Sequence, residues 1–422
     1  MQAAYNDEME IYIHIPFCVR KCLYCDFLSA PADESARMRY VSALKNEIIN
    51  RSDKEVWPAG KMPVVPSVFF GGGTPTVLGA GDLSGILSLI KERFNVKQDA
   101  EITIECNPGT ADEEKLSVLR RAGFNRISIG LQSTDDEMLR KLGRIHNFED
   151  FLRIWKAARE AGFENTNIDI ITGLPGQTLR DISITADKVL SLEPRPKHIS
   201  LYSLIIEEGT EFKKLYDEGK LDLPDEDEER KIHWNIIDAF EKAGYRQYEL
   251  SNLALPGYEC AHNSGYWTGR EYLGFGTGAA SYLRGIRYAD TRSLDEYVSF
   301  WTDSPAFNEP SFPKSICRKP EGIAASEERL FGPLSEKETL TESDLMEEFM
   351  FLGLRMTKGI DTEEFKKRFG KDIREVYGDI IDKHMGEGLL IKRDGRLYLS
   401  RRGQDLANYV MSDMILEKNI SV

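Results

Sequence analysis

Three thiols stand close together near the start of the chain. In "HIPFCVRKCLYCDF" (14–27), Cys18, Cys22 and Cys25 are separated by four and three residues, and no fourth cysteine completes the set. A structural zinc site takes four protein ligands, and a cysteine-rich one usually pairs two Cys-x2-Cys hooks. Here the second hook is missing. An iron-sulfur cube behaves differently: three cysteines on one loop can hold three of its irons and leave the fourth open to an outside ligand. The other cysteines are scattered. Cys106 reads as a core residue at a strand end, Cys260 precedes His262 by two positions, and Cys317 sits in a Pro/Ser-rich stretch. The clustering of three thiols within eight residues therefore points to metal or redox chemistry, not to a disulfide framework.

A second stretch, "FFGGGTPT" (69–76), puts Gly71, Gly72 and Gly73 before Thr74. Glycines let a backbone approach a ligand closely, and the carbonyls exposed there can accept from an ammonium group. No Lys-Ser/Thr follows, so this is not a Walker loop, and the spacing is not that of a dinucleotide fingerprint.

Residues of these kinds need a frame. From residue 10 to about 206, short β-branched runs alternate with amphipathic stretches. The predicted strands are 10–15, 67–70, 101–106, 126–132, 167–171 and 198–205. Helix-like segments between them stop at glycine, as C-terminal caps do. Strand-helix repeats of this kind predict a parallel sheet with helices outside. Within the strands one face is apolar. Ile11, Ile13 and Ile15 oppose Tyr12 and His14; Ile102 and Ile104 oppose Glu101, Thr103 and Glu105; Ile127, Ile129 and Leu131 oppose Ser128, Gly130 and Gln132; Ile168 and Ile170 oppose Asn167 and Asp169. A closed eight-stranded barrel fills its interior with branched apolar side chains, whereas this lumen would be polar. The fold class expected is α/β, an open six-stranded (β/α)6 partial barrel around a polar ligand, with a smaller helical, winged-helix-like C-terminal domain.

The rest of the chain divides by composition. Residues 1–206 form the core with the thiol loop. Residues 207–302 extend the barrel with an acidic helix and a glycine-aromatic region. Residues 303–340 read as a linker, and 341–422 hold helices near 343–356, 361–369 and 371–387, then a hairpin turning at Asp394-Gly395 and a last helix. In that final part acids slightly outnumber bases, so it reads as a packing or substrate-covering module and not as a DNA binder. Over all 422 residues the formal charge of −15 disfavours nucleic acid and anionic membrane as partners. No run of 18 apolar residues and no basic-then-apolar leader is present, which predicts a cytoplasmic protein without a transmembrane segment.

The loop Cys-x3-Cys-x2-Cys after a first strand, at the mouth of a polar barrel, resembles the radical S-adenosylmethionine superfamily. Together with "YIHIPFC", "GGGTPT", "IECNPGT", "RISIGLQS", "LGRIH" and "GLPGQT", it is similar to the group containing oxygen-independent coproporphyrinogen III oxidase and its haem-chaperone relatives. The resemblance implies a [4Fe-4S] cluster on Cys18, Cys22 and Cys25, with the open iron chelated by the amino and carboxylate groups of S-adenosyl-L-methionine. It implies cofactor contacts from Tyr12, Gly72, Gly73, Thr74, Glu105, Gln132, Arg144 and Asp169, with Tyr24 packing on adenine or covering the cluster. It also implies an electron donor such as flavodoxin or ferredoxin.

Two departures separate the branches. The oxidase resembles this loop but carries a further cysteine where Phe27 stands, and it has a longer segment before its first cluster cysteine. In the other direction, "HNSGYW" (262–267) matches the His-Asn-x-x-Tyr-Trp motif of the haem-chaperone branch. Imidazole is a good axial ligand for haem iron, which makes His262 the candidate haem ligand, with Tyr266 and Trp267 able to pack on a porphyrin or only on each other. The leading expectation is a haem-binding protein that passes haem to an acceptor protein. The alternatives are an anaerobic coproporphyrinogen III oxidase or another radical enzyme on the same scaffold, and whether the chain is an enzyme is left open.

Overall fold

The computed structural model describes residues 7–53, 57, 61–302 and 331–416. Its first half alternates strand and helix: β1 (Met9–Ile15), α1 (Glu34–Arg51), β2 (Val64–Gly72), α2 (Ala80–Arg93), β3 (Asn95–Cys106), α3 (Glu113–Ala122), β4 (Arg126–Gln132), α4 (Asp136–Lys141), α5 (Phe148–Glu160), β5 (Asn165–Thr172), α6 (Leu179–Leu190) and β6 (His198–Ser203). Local chemistry fixes the helix ends. The Asp112 side chain caps α3, which stops at Gly123 in the left-handed region, and Asn147 with Asp150 and Thr178 with Asp181 form reciprocal boxes at α5 and α6.

Strands β1 to β6 lie side by side in chain order, all parallel. Their isoleucines are buried under the helices: Ile13, Ile104, Ile129 and Ile168 share one core with Leu83 and Phe151. The opposite residues of each strand face the lumen, as the alternation predicts. The sheet is larger than the six strands read from the sequence. After α7 (Glu211–Asp217) and α8 (Glu226–Lys242), β7 (Arg246–Glu249) and β8 (Asn252–Ala254) add to β6. After α9 (Ala261–Trp267), β9 (Glu271–Phe275) pairs parallel with the other edge at β1, followed by β10 (Ala280–Leu283) and β11 (Ile286–Asp290). The sheet therefore has twelve strands in the order β12-β11-β10-β9-β1-β2-β3-β4-β5-β6-β8-β7, open between β12 and β7.

Helix α10 (Leu294–Thr302) precedes residues 303–330, so most of the predicted linker, with Cys317, lies outside the described residues. Its final part is not a linker: β12 (Leu334–Thr339) pairs antiparallel with β11. Its alternating "LSEKET" has few apolar residues to signal a strand, and the backbone ladder to β11 supplies the stabilisation instead.

The C-terminal unit comprises α11 (Glu342–Arg355), β13 (Ile360–Asp361), α12 (Thr362–Phe369), α13 (Ile373–Gly386), β14 (Leu390–Arg393), β15 (Arg396–Leu399), α14 (Arg401–Asp405) and α15 (Ala407–Ser412). It has its own core of Met350, Phe365, Tyr377, Ile381, Leu397 and Val410. The hairpin turns where predicted, with Asp394 and Gly395 both at positive φ (51° and 73°), as a type I′ turn requires. A bridge between Glu249 and Met356 and an ion pair of Arg401 with Asp238 (2.7 Å) join this unit to the barrel. Among the described residues no helix is long and apolar enough to cross a membrane.

Candidate functional site

Strand β1 ends at Ile15 and the chain turns into the thiol loop, held from three sides. The Cys18 N–H donates to Ala30 O (3.1 Å), and the Leu23 N–H donates to Leu142 O (3.1 Å) beyond α4. His14 reaches from β1 to Leu28 O through Nε2 (3.0 Å) and meets the Tyr12 hydroxyl at Nδ1 (3.1 Å). These two inward-facing residues of β1 thus brace the base of the loop.

The triple glycine is explained by crowding at the same place. The Gly73 N–H donates to Ile15 O (2.9 Å) and the Thr74 N–H to Phe17 O (2.7 Å), pinning the end of β2 against the loop. At Gly72, φ is 111° and an added Cβ would lie 2.6 Å from the His14 ring; at Gly73 it would lie 2.6 Å from Phe17 O. Only glycine fits there.

One cavity of ≈ 420 Å³ opens at the C-terminal ends of the strands. Cys18, Cys22 and Cys25 line it together with Tyr24, Gly72, Gly73, Glu105, Gln132, Arg144 and Asp169. These are ten of the predicted site residues, drawn to one space from the thiol loop, the ends of β2, β3, β4 and β5 and the stretch after α4. Thr74 stands behind it, its hydroxyl 3.5 Å from Cys18 Sγ. Tyr12 lies deeper, stacked on Phe69 (ring centroids 6.3 Å). Gln132 owes its aim to a bulge: the pairing of β4 with β5 slips between Gly130 and Gln132, and Gln132 takes φ 68°, rare for a residue with a side chain.

The cavity buries two acids, Glu105 and Asp169, in a lining that also holds the guanidinium groups of Arg126 and Arg144. Glu105 accepts from the Gly72 N–H (3.2 Å), and burial, with the nearby Asp169, pushes its carboxyl up to about 8. Burial also raises Asp169, although Asn167 Nδ2 (2.7 Å) and Ser128 Oγ (3.2 Å) donate to it. Neither acid has an ion-pair partner among the described residues. Burial outweighs the pull of Arg126 on both acids, so ionising the pair is costly unless the site receives a further cation.

Arg144 is the cation nearest the thiols. It donates through Nη1 to Cys22 Sγ (3.6 Å) and through Nη2 to Gly130 O (3.0 Å) and Asn107 Oδ1, while its buried Nε has no partner. The three thiols fit a cluster of several irons: they are soft donors facing one cavity. Burial raises the Cys25 thiol, a cost that bonding to iron would remove.

His262 is placed elsewhere. It lies in the first turn of α9, 2% exposed; it does not line the cavity itself, but its neighbour Asn263 and the Phe69 ring it packs on do. Both ring nitrogens are engaged: Nδ1 with Ser67 Oγ (2.9 Å) and Nε2 with the Tyr266 hydroxyl (3.0 Å). Its ring stacks on Phe69 at 5.1 Å, and burial, helped by Arg126 and Arg270, depresses it to about 3, so it is neutral. The motif that marks it as a haem ligand thus packs α9 against β1 and β2 in this structure. Cys260, also buried, donates to Glu101 Oε1 (3.4 Å).

Sequence reasoning passed over Asn107 and Tyr202, both lining the cavity. Asn107 stands in "IECNPGT" as the first residue after β3, two positions from Glu105 and so on the same side of the chain, which was the available signal. Tyr202 follows the alternation of β6 through Ser200.

Comparison with known proteins completes the description. Residues 12–189 match the Radical SAM superfamily and residues 340–406 match the HemN C-terminal domain. The chain is 34% identical to the heme chaperone HemW of Bacillus subtilis over 96% of this chain and 99% of that protein. It is 40% identical to the heme chaperone HemW of Escherichia coli over 64% of this chain and 69% of that one. Among solved structures, the radical SAM enzyme coproporphyrinogen III oxidase (HemN) from Escherichia coli shares the fold with a TM-score of 0.79, covering 99% of this chain and 92% of that chain at 22% identity.

Proposed function

The chain belongs to the HemW family of the radical SAM superfamily, and from that premise we propose that it binds haem and passes it to an acceptor protein. The observation that carries this reading is a likeness extending over nearly the whole of both chains to a protein named as a heme chaperone. Cys18, Cys22 and Cys25 would hold a [4Fe-4S] cluster, and S-adenosylmethionine would occupy the cavity beside it. When bound, the cluster supplies one electron to the sulfonium compound at its open iron.

The chain's own residues do the rest. Glu105 and Asp169 compensate the cofactor's positive charge, Arg144 faces its carboxylate, and Tyr24 and Gln132 close the sides of the space they line. Gly72 and Gly73 offer backbone at close range. Tyr12 and Thr74 support these contacts from behind. We place the protein in the cytoplasm, with an electron donor of the flavodoxin or ferredoxin kind, and divide it into the barrel (1–206), its extension (207–302), a connecting stretch and the C-terminal unit (341–422).

The test is haem titration of anaerobically reconstituted protein. Stoichiometric uptake seen in the visible spectrum, followed by loss of the signal to an added haem-free acceptor, is expected. Formation of protoporphyrinogen from coproporphyrinogen would overturn the reading in favour of an oxidase.

A further inference from the structure

Between the thiols and the barrel wall runs one continuous set of polar contacts, and its centre is a residue with no role so far. Asn107 follows the end of β3. Its Oδ1 accepts from Arg144 Nη2 and its Nδ2 donates to Thr74 Oγ1 (2.8 Å). Each of those partners touches a different sulfur: Arg144 Nη1 lies 3.6 Å from Cys22 Sγ, and Thr74 Oγ1 lies 3.5 Å from Cys18 Sγ. Arginine has only donors, so Oδ1 must face it and Nδ2 must face the threonine. The orientation of the amide is thereby fixed by its neighbours.

That orientation has a consequence for both sulfurs. A Thr74 oxygen that accepts from Asn107 has its own O–H left to give, and the sulfur within reach is Cys18. A guanidinium anchored at Nη2 by Asn107 and Gly130 O keeps Nη1 on Cys22. The wall has been cleared for this arrangement. A Cβ at Gly130 would lie 2.5 Å from Asn107 Oδ1 and 3.0 Å from Arg144 Nη2, in the part of β4 where the bulge occurs.

We propose that Asn107 is a positioning residue that aims two hydrogen-bond donors at the cluster sulfurs of Cys18 and Cys22 and so raises the reduction potential of the centre they hold. Donors to cluster sulfurs favour the reduced, more negative state, because they stabilise the charge that reduction adds. The inference rests on the cluster reading above for its readout, although the contacts exist in the protein alone.

The experiment is a redox titration of the reconstituted cluster followed by electron paramagnetic resonance, in wild type, Asn107→Ala, Asn107→Asp, Thr74→Val and Gly130→Ala. Iron and sulfide are counted in each. At the wild-type midpoint, Asn107→Ala should lower the ratio of reduced to oxidised cluster by about fivefold, the scale of one lost hydrogen bond. Thr74→Val should have a smaller effect in the same direction, and the double variant should fall short of the sum because the two act through one contact. Asn107→Asp keeps an acceptor for Arg144 but loses the donor to Thr74 and adds a negative charge, so it should lower the ratio further than Thr74→Val.

If Asn107→Ala holds a full cluster at the wild-type potential, the inference falls. Should that variant fail to hold the cluster, Asn107→Asp and Thr74→Val carry the test, and wild-type potentials in both would equally overturn it. A wild type that takes up no iron and sulfide is a different failure, which removes the cluster reading itself.

Discussion

Two buried charge clusters in this protein have opposite designs. Where α1 meets the β9–β11 extension, Arg51 pairs with Glu47 (2.6 Å) and Asp290 (2.7 Å), all three without solvent exposure. The Gly276 N–H and the Tyr297 hydroxyl donate to Glu47, and Phe275, Tyr288 and Trp301 surround the guanidinium. In the lumen, by contrast, Glu105 and Asp169 accept hydrogen bonds only from neutral donors, and Arg126 acts on them without an ion-pair contact. The first cluster pairs its acids with a guanidinium from within the fold and joins α1 to the β9–β11 extension. The second carries a desolvation cost that the fold leaves standing, which is what a site built for a cation looks like.

The largest effect expected is at the paired cluster. Arg51→Ala strands two buried carboxylates and should lower unfolding free energy by about 3–5 kcal/mol, read from urea melts. S-adenosylmethionine affinity of the protein that remains folded should be unchanged. A loss under about 1 kcal/mol, or a parallel loss of cofactor binding, would break the distinction between the clusters.

The unpaired cluster should also respond to pH, through a carboxyl whose substitution leaves the Arg51 cluster intact. Glu105 has its folded value raised from 4.5 to about 8, so between these limits the folded protein binds more protons than the unfolded chain. Stability of the cofactor-free protein must then fall as pH rises through that window, by up to about 1.4 kcal/mol per pH unit from this group. Glu10 and Glu47, each raised to about 8 by burial, add slopes of the same sign. Glu105→Gln should remove the Glu105 share and weaken S-adenosylmethionine binding, measured by calorimetry. An unaltered pH slope in that variant would mean that the carboxylate is compensated after all.

The sequence revealed these two clusters unequally. The lumen was legible because period-two alternation forces Glu105, Gln132 and Asp169 onto one side of a sheet whose isoleucines face the other. Local spacing likewise exposed the thiol loop and the Asp394-Gly395 turn. The Arg51 cluster was not legible, since Arg51 and Asp290 lie far apart in sequence and charged residues on a helix ordinarily read as solvated. Strand β9 escaped for a related reason: it lies beside β1 through a parallel pairing that no local pattern announces. His262 was singled out by its motif, which names residue types; the Ser67 and Tyr266 bonds of its ring were not legible because Ser67 lies far off in sequence.

His262 supplies the smallest effect and a slope of the opposite sign. It is held neutral, with its value depressed from 6.5 to about 3, so its contribution is present above 6.5 and is lost as pH falls toward 3. His262→Ala leaves the Ser67 and Tyr266 hydroxyls without their shared partner and should cost about 1–2 kcal/mol at pH 7.5. Below pH 6 the gap between variant and wild type should narrow, because only the wild type then has to keep a neutral imidazole buried. Haem affinity should change less than about threefold, since neither ring nitrogen is available without dismantling those bonds. A variant that folds with wild-type stability yet loses haem would reverse the assignment: the imidazole would then be a ligand that exchanges its internal partners for iron, and α9 would be the part of the barrel extension that moves when haem arrives.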